Sequence, residues 1–494
     1  MYLPLGTFSP EVRLGLVSAS RNCFPRSLSE QRTEALLAAC GRLGVAPVLP
    51  DGECRIIETR EHAAQAARQL TDAGCEAAVL YLGNFSPEIE DAAFVRGFAG
   101  PVMLIAAAEE AASRLASERG DALCGLLSAA LAVDKRGLRQ RLYLPPDPVV
   151  DAEAGAHGIA HFAAVARVVK GICGATIGLF GPRPRDFETC NYNLASLASI
   201  GVEVEELGLF DLQNEIRRIK KEEDVGGIVA DMRQQIDDIP AGEFATRLGA
   251  YERAILSFRD RLRLSGATTQ CWSEQEWSLQ HVPCFINGRL AGRGFPIACE
   301  NDAYSLVAEL LGQYASGASV TILDLNHSIP ADLHASLAGY RVPDLVGLFH
   351  CGNTDPRRLV DPHMHHQVIM KRLMEPQGEP DITRGTIEGQ IAASPITVLQ
   401  VHGVGDRLRA YVAQGEFLDL DPQTFGCAGT AHIPGFRRFY RHVLLGRFHH
   451  HAAVAFTHCG GVLYDAMRLL GIEEIHTPLP DGVLYPGENP FGAA

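Results

Sequence analysis

The first 150 residues alternate short apolar runs with amphipathic stretches. Residues 12–18, 45–49, 77–82 and 101–106 read as strands, and 29–43 and 59–73 read as helices. That β-then-α rhythm with short connections predicts a parallel, doubly wound sheet. Residues 144–151, Leu-Pro-Pro-Asp-Pro-Val-Val-Asp, cannot continue a helix and read as a connection between domains. A second βα series follows, with helix 155–173, strand 175–180, helix 188–200, strand 202–207 and helical runs to residue 265. After residue 340 the texture changes. Segments 397–401, 408–413 and 416–420 are short strands separated by Gly and Asp turns, which predicts an antiparallel domain.

The fold class expected is therefore α/β: two N-terminal doubly wound (Rossmann-like) βα domains, 1–150 and 151–335, then a mainly antiparallel β domain, 336–494. A length of 494 residues agrees with several domains, because single cores stop growing near roughly 250–300 residues. A net charge of −15 opposes nucleic-acid or anionic-membrane binding as the main activity. The 13 cysteines have no framework spacing and no CxxC pair, which reads as reduced thiols in a cytoplasm. The N-terminus lacks the pattern of a secretory signal, and no run of about 18 apolar residues is present to span a membrane. The GxGxxG fingerprint and the P-loop are also missing, so nucleotide cofactors are not indicated.

Three segments stand out chemically. Phe295-Pro-Ile-Ala-Cys299-Glu300-Asn301-Asp302 places two acids at the start of a helical run, where they also suit the helix dipole. Val320-Thr-Ile-Leu-Asp324-Leu-Asn326-His327 ends an apolar run with an acid, a catalytic position or a turn cap. Arg447-Phe-His449-His450-His451-Ala-Ala-Val-Ala-Phe sets histidines in an apolar, β-prone stretch. Alternation there sends His449 and His451 to one side and His450 to the other. Buried imidazoles need partners. Two carboxylates and an imidazole make a hard-to-borderline divalent site suited to Mn²⁺ or Mg²⁺. Such a site polarises a carbonyl while a carboxylate moves a proton, the chemistry of ketol isomerisation.

Further segments carry a resemblance. They are Gly181-Pro-Arg-Pro-Arg-Asp-Phe-Glu-Thr-Cys-Asn191, Ala298-Cys-Glu300-Asn-Asp302, Leu323-Asp324-Leu-Asn-His, Leu348-Phe-His350-Cys-Gly-Asn353 and Gly385-Thr-Ile-Glu-Gly389-Gln-Ile. Thr424-Phe-Gly-Cys-Ala-Gly429 and Phe436-Arg-Arg-Phe-Tyr-Arg-His442 follow, then the histidine run and Arg468-Leu-Leu-Gly-Ile472. In these the chain resembles the L-fucose/L-arabinose isomerase family, in its L-fucose isomerase-like branch, weakly before residue 150 and well after 175.

The resemblance implies Glu300, Asp324 and His451 as metal ligands, with His450 as the alternative register. It implies a Mn²⁺ cofactor, with Mg²⁺ or Co²⁺ as substitutes, and an ene-diol route. Glu300 and Asp324 would be the acid/base pair that takes the C2 proton and returns it at C1, in an order left open. Asn353, Arg21 and His350 are candidate substrate contacts; Asp302 either orients the metal shell or caps a helix. His363, His365 and His366 read as a loop over the site, Trp272 and Trp277 as packing. The implied substrate is a deoxy or substituted hexose, sulfonated ones included, or a pentose. An anionic sugar has Arg21, Arg26, Arg183 and Arg185 available. The resemblance also implies a homo-oligomer whose sites are completed by a neighbouring subunit. Two other readings are kept: another metal-assisted sugar reaction (an epimerase or lyase), and a non-catalytic sugar-binding homologue.

Overall fold

Three sheets follow one another along the chain, from strands within 14–150, 176–298 and 320–476. The structure is a computed structural model that describes residues 5, 6 and 8–491. It divides into two compact units, residues 10–170 with 465–471, and residues 1–9, 171–464 and 472–494.

In the first of these units the strands Leu14–Ala19, Ala77–Leu82 and Val102–Ala107 are buried at every position. They pair in parallel, which is why their apolar runs show no alternation. Ile56–Ile57 forms one edge, and Leu142–Tyr143 and Val149–Val150 pair with Val102–Ala107. Two expectations change here. Residues 45–49 supply only an isolated bridge, Val48 to Gly15; Pro47 has no N–H to give a ladder. The Pro-rich segment 144–151 contributes Val149–Val150 to the sheet instead of only linking domains.

The other unit holds two sheets. The smaller has Ile297–Ala298, Gly266–Thr269, Thr176–Phe180 and Glu203–Leu207 side by side, all parallel. The helix expected over 188–200 is a 3₁₀ turn, Glu188–Cys190, and a short helix, Leu194–Ala198. Asn193 interrupts the run by capping the second piece, its Oδ1 accepting from Ala195 N at 2.9 Å.

The larger sheet has nine strands and is mixed but mostly antiparallel. Pairing of Arg407–Phe417 with Cys427–His432 closes six of the strands into a ring. The segment 408–413 and the first two residues of 416–420, expected as two strands, form the single strand Arg407–Phe417 in a hairpin with Ser394–Val404, and residues 418–420 lie outside it. Gly415, which read as a break, lies inside it. A Cβ there would come within 2.2 Å of the His432 carbonyl oxygen, so glycine permits the ring-closing approach. Asp324 belongs to this sheet, on Val320–His327, together with His451. One hydrophobic cluster, including Phe180, Tyr251, Phe285, Leu323 and Tyr411, runs between the two sheets.

Glu276 is 1% exposed in this unit, and its Oε2 has no hydrogen-bond partner. Burial, with Glu274 and Glu375 nearby, pushes its pKa up to about 8. Its folded pKa is thus above the unfolded one, so the neutral form is the stable one. Stability is full below the ordinary glutamate value of 4.5 and is lost as pH rises through about 8. Glu276→Gln is expected to gain up to about 4 kcal/mol relative to wild type as the pH rises across this window. Denaturant unfolding at pH 5 and pH 9 checks it; equal pH sensitivity of the two proteins would contradict it.

Candidate metal centre

Antiparallel pairing of Val320–His327 with His451–Ala455 puts Asp324 directly opposite His451. Leu325 N donates to His450 O at 2.8 Å, which continues the register past the strand end. Directly opposed residues share one face of a sheet, so Asp324 and His451 meet because of register alone. His451 Nε2 lies 3.8 Å from Asp324 Oδ1.

Glu300 arrives from a different element. After the short strand Ile297–Ala298, Glu300 and Asn301 both take left-handed backbone, φ 59° and 57°. For non-glycine residues this costs about 1–2 kcal/mol each and persists only where the surroundings enforce it. Here Asn301 N donates to Thr269 O at 3.1 Å and its Nδ2 donates to Gly181 O at 2.5 Å, while Thr268 Oγ1 bonds its Oδ1. The turn delivers the Glu300 Oε2 atom to 2.9 Å from His451 Nε2. Glu300 is 4% exposed and that oxygen has no hydrogen-bond partner.

Asp302 does both things the sequence allowed. It caps helix Ala303–Ser316, Oδ1 accepting from Ser305 N at 3.0 Å, and Oδ2 accepts from Ser305 Oγ at 2.6 Å. That same Oδ2 is 2.8 Å from His451 Nδ1. An ionised carboxylate only accepts, so Nδ1 carries the proton and Nε2 faces Glu300 and Asp324. Gln400 Nε2 joins the set, donating to Ser305 Oγ and to His451 O, each at 2.8 Å.

Electrostatics follow from this crowding of acids around one ring. Burial alone would lift the Asp302 pKa, but His449 and His451 outweigh it and hold the carboxyl well below its usual range. For Asp324, burial dominates: its pKa rises to about 7, with His451 opposing and Glu300 adding to the shift. Burial opposes the charged form of His451, yet Asp302, Cys190 and Glu300 hold its pKa well above the ordinary value.

The strand begins only at His451, so alternation does not extend to His449 and His450; His449 Nε2 is 3.4 Å from Asp302 Oδ2 and its Nδ1 accepts from His451 N at 3.2 Å. His450 is 41% exposed, but it is not sent to the opposite side: its Nε2 is 3.9 Å from Asp324 Oδ1, the atom that His451 Nε2 also approaches. Burial holds both imidazoles neutral, with pKa values near 4.

The remaining candidates fall in different places. The His350 ring is 6.1 Å from that of His451, and its Nδ1 is buried without a partner. Asn353 is 3% exposed, with Nδ2 3.6 Å from Cys299 Sγ and an unpartnered Oδ1. Arg21 lies in the unit of residues 10–170, its guanidinium 4.3 Å over the Phe85 ring and bonded to Ser86 O. His363, His365 and His366 do not form a loop. They lie on the strand Leu359–His366, paired with Arg384–Ile391, where His363 and His365 approach Glu388. Trp272 packs edge-on to Phe187, whereas Trp277 is 55% exposed instead of packed.

Among the described residues, metal-ligating atoms gather within 4.8 Å of one another in three groups: Cys190–Glu300–His451, Asp302–His449–His451 and Asp324–His450–His451. Glu300 and Asp324 stand in different groups and His451 joins them. Cys190 was not anticipated as part of the site; its only signal was its place at the end of the loop following strand Thr176–Phe180. Two unpartnered carboxylate oxygens, Glu300 Oε2 and Asp324 Oδ1, face one imidazole nitrogen in a buried setting. Such a set is short of positive charge, and a divalent cation fits it. Beside it lies a cavity of about 720 Å³, whose lining includes Leu325, Asn326, His449, His450, Phe436 and Tyr440.

A family model described as the fucose/sulfoquinovose isomerase N-terminal domain matches residues 15–173. Another, the L-fucose isomerase C-terminal domain, matches residues 348–476. No curated protein matches the chain. Glu300 and Asp324 fall between the two matched stretches, whereas His350, Asn353 and His451 fall within the second. The fold agrees with that assignment, with parallel-sheet α/β segments first and a mixed, mostly antiparallel sheet last. Together the two matches span more than half of the sequence, and the chain belongs to the fucose isomerase-like family of aldose–ketose isomerases.

Proposed function

We propose that Glu300, Asp324 and His451 hold a divalent cation, Mn²⁺ with Mg²⁺ or Co²⁺ as substitutes, and that the two carboxylates interconvert an aldose and its 2-ketose. The carrying observation is the convergence of two unpartnered carboxylate oxygens on His451 Nε2, whose other nitrogen is tied to Asp302. When bound, the cation supplies Lewis-acid polarisation of the sugar carbonyl and its neighbouring hydroxyl. One carboxylate, Glu300 or Asp324, takes the C2 proton to give the ene-diol, and the proton returns at C1. His350 and Asn353, with unpartnered buried polar atoms, are proposed to bond sugar hydroxyls; Arg21 is proposed as a further substrate contact.

The cavity beside His449 and His450 is proposed as the seat of the rest of the sugar, a deoxy or substituted hexose or a pentose. One observation favours an anionic substituent. Arg26 is bonded to Glu30 and Glu58, Arg183 to Asn191, and Arg185 lies beside Asp186. Arg437, in contrast, is exposed on the cavity wall with no ion-pair or hydrogen-bond partner among the described residues. A sulfonate is one group such a guanidinium binds, and the N-terminal family description names sulfoquinovose. We also propose a cytoplasmic homo-oligomer in which a neighbouring subunit completes each site.

The test is a panel of neutral and anionic aldoses, incubated with Mn²⁺-loaded and with chelated protein, scored for ketose by NMR. The expected result is ketose from at least one sugar, lost on chelation and restored by Mn²⁺. Turnover that survives full chelation would remove the metal from the account.

A further inference from the structure

We propose that Cys190 is a further protein ligand of this metal, so that the site carries a thiolate and binds Zn²⁺ and Co²⁺ more tightly than carboxylates and an imidazole alone would. The inference rests on the reading of Glu300 and His451 as metal ligands.

Cys190 closes the 3₁₀ turn Glu188–Cys190 and is 1% exposed. Its Sγ lies within 4.8 Å of both a Glu300 oxygen and a His451 nitrogen, a span that one ion bridges with ordinary metal–ligand distances. Glu300 is buried, and its Oε2 is unpartnered. The turn is held in place: Cys190 N donates to Phe187 O at 3.0 Å, and Asn193 caps the next helix. Asn301 Nδ2, beside Glu300, donates to Gly181 O at the start of the same loop, so loop and turn are tied together. Other thiols are nearby in sequence, but Cys299 is placed against Asn353 Nδ2 and joins none of the three donor groups.

Coordination breaks the S–H bond, forms a sulfur–metal bond and releases the proton to solvent, with no change of oxidation state. A shell of carboxylates and one imidazole is hard to borderline; one thiolate shifts it towards metals that accept sulfur.

The probe is Co²⁺ alone, titrated into the full-length protein. The expected result is a near-ultraviolet sulfur-to-cobalt absorption band in wild type that is lost in Cys190→Ser, with cobalt still bound. In competition, Cys190→Ser is expected to lower the preference for Zn²⁺ over Mn²⁺ by at least about tenfold. X-ray absorption of the zinc-loaded wild type needs no variant, and one sulfur neighbour at about 2.3 Å is expected. Cobalt bound in a His451-dependent way without a sulfur band, or a band that persists in Cys190→Ser, overturns the role of Cys190 and leaves the metal reading intact. A protein that binds neither cobalt nor zinc overturns both.

Discussion

Glu300→Gln is expected to lower turnover of the Mn²⁺-loaded protein by about a thousandfold or more, with the fold intact. The amide has nearly the same volume as the carboxyl, and the left-handed turn is held by Asn301, not by the Glu300 side chain. What disappears is the charge that faces His451 Nε2 and the capacity to carry a proton. General acid–base groups are worth about 10²–10⁴ in rate, and loss of a metal-holding carboxylate adds to that. Steady-state kinetics on the sugar identified by the panel, with circular dichroism as the control for folding, make the measurement. Near-normal turnover of the variant would sink the assignment of Glu300.

Asp302→Ala is expected to weaken metal binding by about 10–100-fold and to destabilise the protein by about 1–3 kcal/mol. The two effects have separate causes. Removing Oδ1 leaves the Ser305 amide at the start of helix Ala303–Ser316 without its cap. Removing Oδ2 frees His451 Nδ1, so nothing fixes which nitrogen carries the proton or where the ring points. Asp302→Asn separates them, since its oxygen still caps the helix while the anionic acceptor for the imidazole is gone. That variant should keep most of the stability and lose the metal affinity. Calorimetric titration with Mn²⁺ and denaturant unfolding read the two quantities; unchanged metal affinity in Asp302→Ala would refute the orienting role.

Much of this architecture was legible because it depends on local pattern. The buried parallel strands Ala77–Leu82 and Val102–Ala107 show as unbroken apolar runs, and the helix after Asp302 shows as an acid ahead of an apolar run. What escaped notice depended on neighbours distant in sequence. His363 to His366 looked like a polar loop after Asp361-Pro362, yet cross-strand pairing with Arg384–Ile391 makes them a strand. Gly415 looked like a break until the approach of strand Cys427–His432 explained it.

The candidate site divides in the same way. Asp324 and His451 were named from motifs, but their meeting is a matter of register between strands far apart in the chain. The direct bond from Asp302 to His451 and the arrival of Cys190 come from tertiary packing, on which spacing carries no information. The difference between the surroundings of His450 and His451 is likewise three-dimensional. His451 is 1% exposed and faces both Glu300 and Asp324, while His450 is 41% exposed on the cavity side.

The most direct measurement is anomalous X-ray scattering at the manganese edge from crystals of the Mn²⁺-loaded protein. The account predicts one strong peak in contact with Glu300, Asp324 and His451, with Asp302 behind the imidazole. A peak elsewhere in the chain, or a bound ion touching none of these three side chains, would contradict it.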